Sequence, residues 1–258
     1  MRVTFLGTGT SRGIPVIGCG CEVCKSNNPE NKRLRTSVLI ESEATVVIDA
    51  SVDFRTQMLR QDVRSLDAVV LTHAHVDHIL GLDDVYPFNI RSGNHMPVYA
   101  RPETLNEIRQ TFRHLFSERK YPGIPSVALH PVDGPFQIGE LHFEPIPVLH
   151  GRLPILGYRI GSFAFITDVS EIPEESFEKL QGVKYLALDA LRERPHYSHF
   201  SLGEAVEAAQ RIGATQTYLV HMCHDLEHQS TNRELPDSVS LAYDGLVWEV
   251  EGDQNARS

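Results

Sequence analysis

Residues 72 to 78 read Thr-His-Ala-His-Val-Asp-His, and they constrain this chain more than any other stretch. His73, His75, Asp77 and His78 place three imidazoles and one carboxylate within a single loop. These are the usual ligands of zinc, manganese and iron, and the density is enough for two ions. The preceding run Leu66-Asp67-Ala68-Val69-Val70-Leu71 is short, apolar and rich in branched residues. It predicts a buried strand feeding the loop. Metal ligands in a loop at the end of a buried strand are how α/β enzymes build active sites.

The motif His-x-His-x-Asp-His resembles that of the metallo-β-lactamase superfamily. The resemblance runs from about residue 1 to the apolar stretch 242–250, nearly the whole chain. It implies three further ligands in chain order, each after a strand. His150 follows Phe143–Leu149, Asp168 follows Ser162–Thr167, and His221 follows Thr217–Val220. It also implies their grouping: His73, His75 and His150 on one ion, Asp77, His78 and His221 on a second, and Asp168 bridging. Asp49, ending the strand 45–48, would hold one metal histidine by its second ring nitrogen. The implied fold is α/β, an αββα sandwich of two facing mixed sheets flanked by helices, read as a single domain over 1–258. Asp189, ending another apolar stretch, reads as a cap or turn residue. His95, His114, His130, His142, His196 and His228 read as surface histidines.

The four cysteines narrow the resemblance. Cys19, Cys21 and Cys24 lie in a Cys-rich loop at about 18–25, and Cys-x-Cys-x-x-Cys spacing lets three thiolates converge on one ion. A disulfide framework is disfavoured, because three cysteines in six residues cannot pair off among themselves. A tetrahedral site needs a fourth ligand, from His224 or Cys223. Together with the N-terminal Leu6-Gly7-Thr8-Gly9-Thr10, this loop resembles that of the PhnP-like branch, the phosphoribosyl 1,2-cyclic phosphate phosphodiesterases. That branch closes a structural zinc site with a His three residues beyond the last active-site His, here His224.

Chemistry follows from the same residues. Two neighbouring ions, Mn²⁺ or Zn²⁺ with Fe²⁺ as an alternative, can hold a bridging hydroxide at neutral pH that attacks a phosphoryl or acyl centre. His199, before a helix expected at Leu202–Ile212 with Ser201 as N-cap and Glu204 at N3 in a capping box, matches a His that contacts phosphate and protonates the leaving oxygen in PhnP-like and RNase Z-like enzymes. An imidazolium at a helix N-terminus is unfavourable unless a phosphate is also there, and the same helix end would welcome that anion. The implied activity is hydrolysis of a small cyclic phosphodiester such as a ribose 1,2-cyclic phosphate. An RNase Z-like nucleotide phosphodiesterase is the alternative, and a non-hydrolytic PqqB-like metalloprotein the second.

Bulk properties exclude little else. The net charge of −10 gives no electrostatic footprint for nucleic acid. No apolar run of about 18 residues predicts a membrane span. With no signal peptide before the first strand, the expected setting is cytoplasmic, with a small-molecule substrate and a homodimer as the assembly suggested by relatives. Other expected elements are helices at 53–60 and 102–119, the second ended by Tyr121-Pro122-Gly123-Ile124-Pro125, and strands at 1–8, 35–41, 45–49, 127–130, 136–138, 141–146, 156–160, 163–167, 184–189, 217–220 and 246–250.

Overall fold

The structure is a computed structural model that describes residues 1–117 and 123–250. Its first sheet contains β1 (Arg2–Gly7), β2 (Ser37–Glu41), β3 (Thr45–Ile48), β4 (Ala68–Val70), β5 (Met96–Ala100) and β6 (Val127–Pro131). The second contains β7 (Phe136–Ile138), β8 (Leu141–His150), β9 (Leu153–Ile160), β10 (Phe163–Ile166), β11 (Tyr185–Asp189), β12 (Gln216–Val220) and β13 (Val239–Leu241). The last strand, β14 (Val247–Glu249), returns to the first sheet. The spatial orders are β14-β1-β2-β3-β4-β5-β6 and β13-β12-β11-β10-β9-β8-β7.

Strand alternation sorts the apolar residues into layers. Val38, Ile40, Val46, Ile48 and Val70 point between the sheets, where they meet Phe143, Tyr158, Phe163 and Phe165. Their neighbours Leu39, Val47 and Val69 point to the other face. Successive side chains on a strand face opposite ways, so an unbroken apolar run marks a strand covered on both sides. Helices supply the outer covers. Phe54 and Met58 of α2 (Phe54–Arg60; α1 is Glu22–Lys25) lie on the first sheet. So do Phe88 of α4 (Tyr86–Ser92; α3 is Val76–Ile79) and Leu105 and Ile108 of α5 (Pro102–Thr111). Ala205, Ala208 and Ala209 of α7 (Leu202–Ile212; α6 is Glu174–Lys179) cover the second sheet. The result is the expected αββα sandwich. No helix among the described residues is long and apolar enough to cross a membrane.

Several boundaries differ from expectation. The helix expected at 102–119 ends at Thr111, where Phe112 leaves helical geometry (φ −105°, ψ 49°), and a 3₁₀ turn follows at Arg113–Phe116. Phe112 and Leu115 turn into the core instead of continuing the helical face. Residues 118–122, including part of the expected stop signal, lie outside the described residues. The strand expected at 141–146 runs on to His150, because β8 and β9 pair along their full length from Phe143–Ile160 to His150–Leu153.

The topology positions the site. Strands β3, β4 and β5 run parallel, as do β10, β11, β12 and β13. Their C-terminal ends carry Asp49, His73, Asp168, Asp189 and His221. Residues just beyond parallel strand ends are where open α/β sheets bind ligands.

Candidate metal centre

Three of these strand-end residues hold left-handed backbone conformations: Asp49 (φ 65°), Asp168 (φ 56°) and His221 (φ 60°). Such conformations are uncommon outside glycine and are stored at functional sites. They turn each side chain sharply from its strand towards the sheet edge. On the β4 side, α3 is a single helical turn that folds Asp77 and His78 back beneath His73 and His75. The hairpin turn after β8 brings His150 across from the second sheet.

The structure gathers all seven expected ligands. His73, His75 and His150 form one set whose nitrogen atoms lie within 4.8 Å of one another, and Asp77, His78 and His221 form another. Asp168 joins them: its Oδ2 lies 3.3 Å from His78 Nε2 and its Oδ1 3.3 Å from His221 Nε2. It also groups with His73. Only His75 of the seven is exposed.

Partners behind the rings set their tautomers. His78 Nδ1 donates to Asp49 Oδ2 at 2.8 Å. Asp49 also accepts from the Thr72 backbone N–H at 2.9 Å and from the Thr72 hydroxyl. That hydroxyl has one proton, so with it given to Asp49 the His73 Nδ1–H donates to Thr72 Oγ1 at 2.9 Å. His150 Nδ1 donates to the Ser198 carbonyl at 2.7 Å. With each Nδ1 engaged, Nε2 presents a lone pair inward. The Nε2 atoms of His73 and His78 and both ring nitrogens of His221 are buried with no hydrogen-bond partner. Buried polar atoms are rarely left unmatched, and inward lone pairs backed by outer acceptors are what divalent metals require. The residues therefore fit metal ions.

Charge agrees. Burial opposes ionisation of Asp168, yet His221 and His78 beside it hold its carboxyl well below the usual range. Asp77 is likewise lowered against burial by His78 and His221. Burial alone would depress His78, but Asp168, Asp49 and Asp77 raise it well above an ordinary histidine. His73, buried and next to His78, is pushed well below. The carboxylates of Asp77 and Asp168 thus draw positive charge into the cluster, and without a metal that charge falls on His78 and His221, both raised by these neighbours.

His199 is buried and is not one of the seven expected ligands, but its ring nitrogen groups with ligand atoms of His150 and Asp168 within 4.8 Å; its ring is stacked on that of His221 at 4.8 Å and edge-on to that of His150 at 4.6 Å. Asp189 corrects the cap-or-turn expectation. It is fully buried, with Oδ2 3.2 Å from His199 Nδ1 and Oδ1 3.4 Å from His221 Nδ1. A strand-end Asp gives no sequence signal for this, because the role arises only from β11 lying between β10 and β12. The start of α7 carries the capping box that Ser201 and Glu204 predict, and it engages N–H groups that an anion would otherwise take. The Ser201, Leu202 and Glu204 N–H groups are taken by Glu204 Oε2, the Arg192 carbonyl and Ser201 Oγ. Three of the six histidines read as surface residues also differ: His114 is half-buried against Asp83, His196 is half-buried beside His199, and His228 is buried beside Glu30.

A second cluster stands apart. His224 Nδ1 lies 3.2, 3.5 and 3.5 Å from the sulfurs of Cys19, Cys21 and Cys24. Cys223 instead accepts from the Asp225 N–H at 3.3 Å, and all four cysteines are free. A backbone N–H from Cys24 lowers the Cys21 thiol to about 7, while burial pushes Cys24 up to about 11. Buried Arg33 braces the two loops, donating to the carbonyls of Cys223 (3.0 Å) and Leu226 (2.8 Å).

Known proteins place this arrangement. A relative from Porphyromonas gingivalis (strain ATCC BAA-308 / W83), named octanoyltransferase, is 42% identical over 252 residues, 95% of this chain and 51% of the relative. The chain thus spans about half of that protein's length. A crystal structure described as a new diphosphatase from the PhnP family superposes with TM-score 0.91 at 43% identity, covering 97% of this chain and 98% of the other. Zn²⁺-bound PqqB from Methylobacterium extorquens shares the fold at 17% identity (TM-score 0.79, covering 97% and 100%). The family model of a beta-lactamase superfamily domain matches residues 44–222, a span that takes in every His and Asp of the strand-end cluster. The chain belongs to the metallo-β-lactamase superfamily.

Proposed function

We propose that this protein is a dinuclear metal-dependent phosphodiesterase that hydrolyses a small cyclic phosphodiester, such as a ribose 1,2-cyclic phosphate. The observation that carries this reading is the buried pair of His199 and Asp189, a proton-handling group set against the ligand cluster but outside it. His73, His75 and His150 would hold one ion, Asp77, His78 and His221 the other, and Asp168 both. Cys19, Cys21, Cys24 and His224 would hold a structural zinc. Divalent ions there supply Lewis acidity towards phosphoryl oxygens and water of lowered pKa.

The chain's own residues do the rest. Asp189 accepts the His199 Nδ1–H and stabilises the imidazolium. Nε2 then carries the proton delivered to the leaving oxygen, as a general acid. Because His150 bonds the Ser198 carbonyl, the loop bearing His199 is referenced directly to a metal ligand. Similarity to the PhnP-family structure supports the phosphoryl substrate over an acyl one. The name octanoyltransferase belongs to the whole P. gingivalis relative, of which this chain spans about half. Covalent acyl transfer calls for an activated nucleophile, and burial pushes Cys223, the thiol nearest His221 in the chain, up to about 11.

The test is turnover of bis(p-nitrophenyl) phosphate with added Mn²⁺ or Zn²⁺, in wild type and His199→Ala. A rate loss of about 10²–10⁴-fold with metal content unchanged is expected for a general acid. Loss of metal in the variant would reassign His199 as a ligand. Absence of turnover by wild type carrying two ions per site would overturn the reading.

A further inference from the structure

The thiol cluster contains a Cys-x-x-Cys pair, Cys21-Glu22-Val23-Cys24, wound into a single helical turn. Cys21 is the N-cap of α1 and Cys24 its third helical residue, and side chains at these two positions reach one another across the turn. Cys21 Sγ accepts the Cys24 N–H at 3.5 Å, and the sulfurs of Cys19, Cys21 and Cys24 lie within 4.8 Å of one another. Their exposure differs. Cys21 faces solvent, Cys19 is half-buried, and Cys24 packs in a small apolar cluster with Ile14 and Val23. An accessible sulfur beside a sheltered one is the arrangement of an attacking thiol and its resolving partner. Pairing Cys19 with Cys21 would close a tighter ring, because only Gly20 separates them.

We propose that Cys21 and Cys24 are an oxidation site for hydroperoxides, where a disulfide forms that dismantles the thiol cluster and lowers turnover. The inference rests on the structural-zinc reading of this cluster. Ligation requires both sulfurs as thiolates, which is also their nucleophilic form. The Cys21 thiolate attacks the peroxide and the O–O bond breaks, giving a Cys21 sulfenic acid and an alcohol or water. The Cys24 thiolate then attacks the sulfenic sulfur, the S–S bond forms and hydroxide leaves. Each departing oxygen takes a proton from solvent, and two electrons pass from the two sulfurs to the peroxide. Cys19 and His224 are left, too few ligands for a tetrahedral zinc site. His224, three residues beyond His221, then loses its tie to the N-terminal loop.

The experiment treats the full chain, with Zn²⁺ at the thiol cluster and Mn²⁺ at the His and Asp cluster, with hydrogen peroxide. Released zinc is read with 4-(2-pyridylazo)resorcinol and the disulfide by mass spectrometry of alkylated, unreduced peptides. Zinc should leave in step with a Cys21–Cys24 disulfide, and turnover of bis(p-nitrophenyl) phosphate should fall alongside. A thiol reductant with added zinc should restore both. Cys21 and Cys24 should oxidise about tenfold or more faster than Cys223, the control thiol of the same chain. Cys223→Ser should respond as wild type. Cys19→Ser keeps the pair and should form the same disulfide whether or not it holds zinc. Zinc retained with both thiols reduced, a wild-type disulfide that uses Cys19, or a Cys21–Cys24 disulfide with turnover unchanged overturns the proposal. Protein that carries no zinc at the cluster before peroxide is added fails the zinc reading itself, and the switch with it. Zinc release and the disulfide are read without turnover, so they stand apart from the test of the phosphodiesterase.

Discussion

The two ligand clusters are built in opposite ways. The His and Asp cluster draws on the ends of β3, β4, β8, β10, β11 and β12, and most of its rings are fixed from behind by Asp49, Thr72, Ser198 and Asp189. The thiol cluster draws on one short loop and on His224, with one buried sulfur among three. Its supports are single backbone donors such as Val16 N–H to Cys24 Sγ at 3.3 Å. Sheets thus pre-form the first site, so metal there should serve chemistry more than folding. The second site has little scaffold of its own, and metal binding to such a loop is folding free energy.

The sharpest break in this contrast is Asp168→Ala. Removing the carboxylate shared by both ion positions should cost about 10³-fold or more in turnover and lower active-site metal content, since even partners behind the ligands cost 10–100-fold. Near-normal far-UV circular dichroism is expected, because the sheets and not the ion build this region. A variant that fails to fold would contradict the pre-formed view.

Cys24→Ser probes the other side. An ion bound at about a thousand times its dissociation constant stabilises by about 4 kcal/mol, so losing it should lower the melting temperature measurably. Turnover should fall too, because Lys32 donates to the Cys24 carbonyl while the adjacent Arg33 holds residues 223–226, directly after His221. Unchanged melting with a lost zinc would mean that the loop is held without it.

Asp189→Asn separates positioning from ligation. Turnover should drop by about 10–100-fold with both active-site ions kept, and the pH–rate profile should move because the imidazolium loses its carboxylate. Loss of metal instead would mean that Asp189 acts chiefly through His221.

The smallest effect is electrostatic and lies beside the thiol cluster. Glu227 caps α8 (His228–Glu234) and accepts from Asn31 at 2.7 Å. Burial opposes its ionisation, but hydrogen bonds from Asn31 and Ser230 bring its pKa down to about 2, from 4.5. A lowered carboxyl stabilises the fold above about pH 4.5, and that contribution fades as pH falls towards 2. The group is half-buried with its hydrogen bonds near the surface, so the effect should stay near about 1 kcal/mol. Melting temperatures of wild type and Glu227→Gln between pH 6 and 3 should converge on acidification. A gap that does not narrow would place its role in the hydrogen bonds alone.

What could be read in advance follows from how local each signal is. His73 to His78 sit in one loop, so their cluster is visible as consecutive letters. Runs such as Thr45–Ile48 are apolar throughout because both faces are covered, which marks them as strands without revealing their neighbours. Strand β5 carries Pro97, which masks it as a strand, and the expected helix at 102–119 runs past Thr111 because Phe112 and Leu115 suit either a helical face or a turn into the core. The amino-acid sequence by itself determined the ligand types, their chain order, the thiol loop and the strand-rich α/β character, since these depend on residue identity and short-range periodicity. Only the tertiary structure decided that Asp189 stands behind both His199 and His221 and that three arginines, Arg12, Arg192 and Arg194, share one cavity. Those facts depend on which strands and loops become neighbours, and long-range pairing leaves no local mark in the chain.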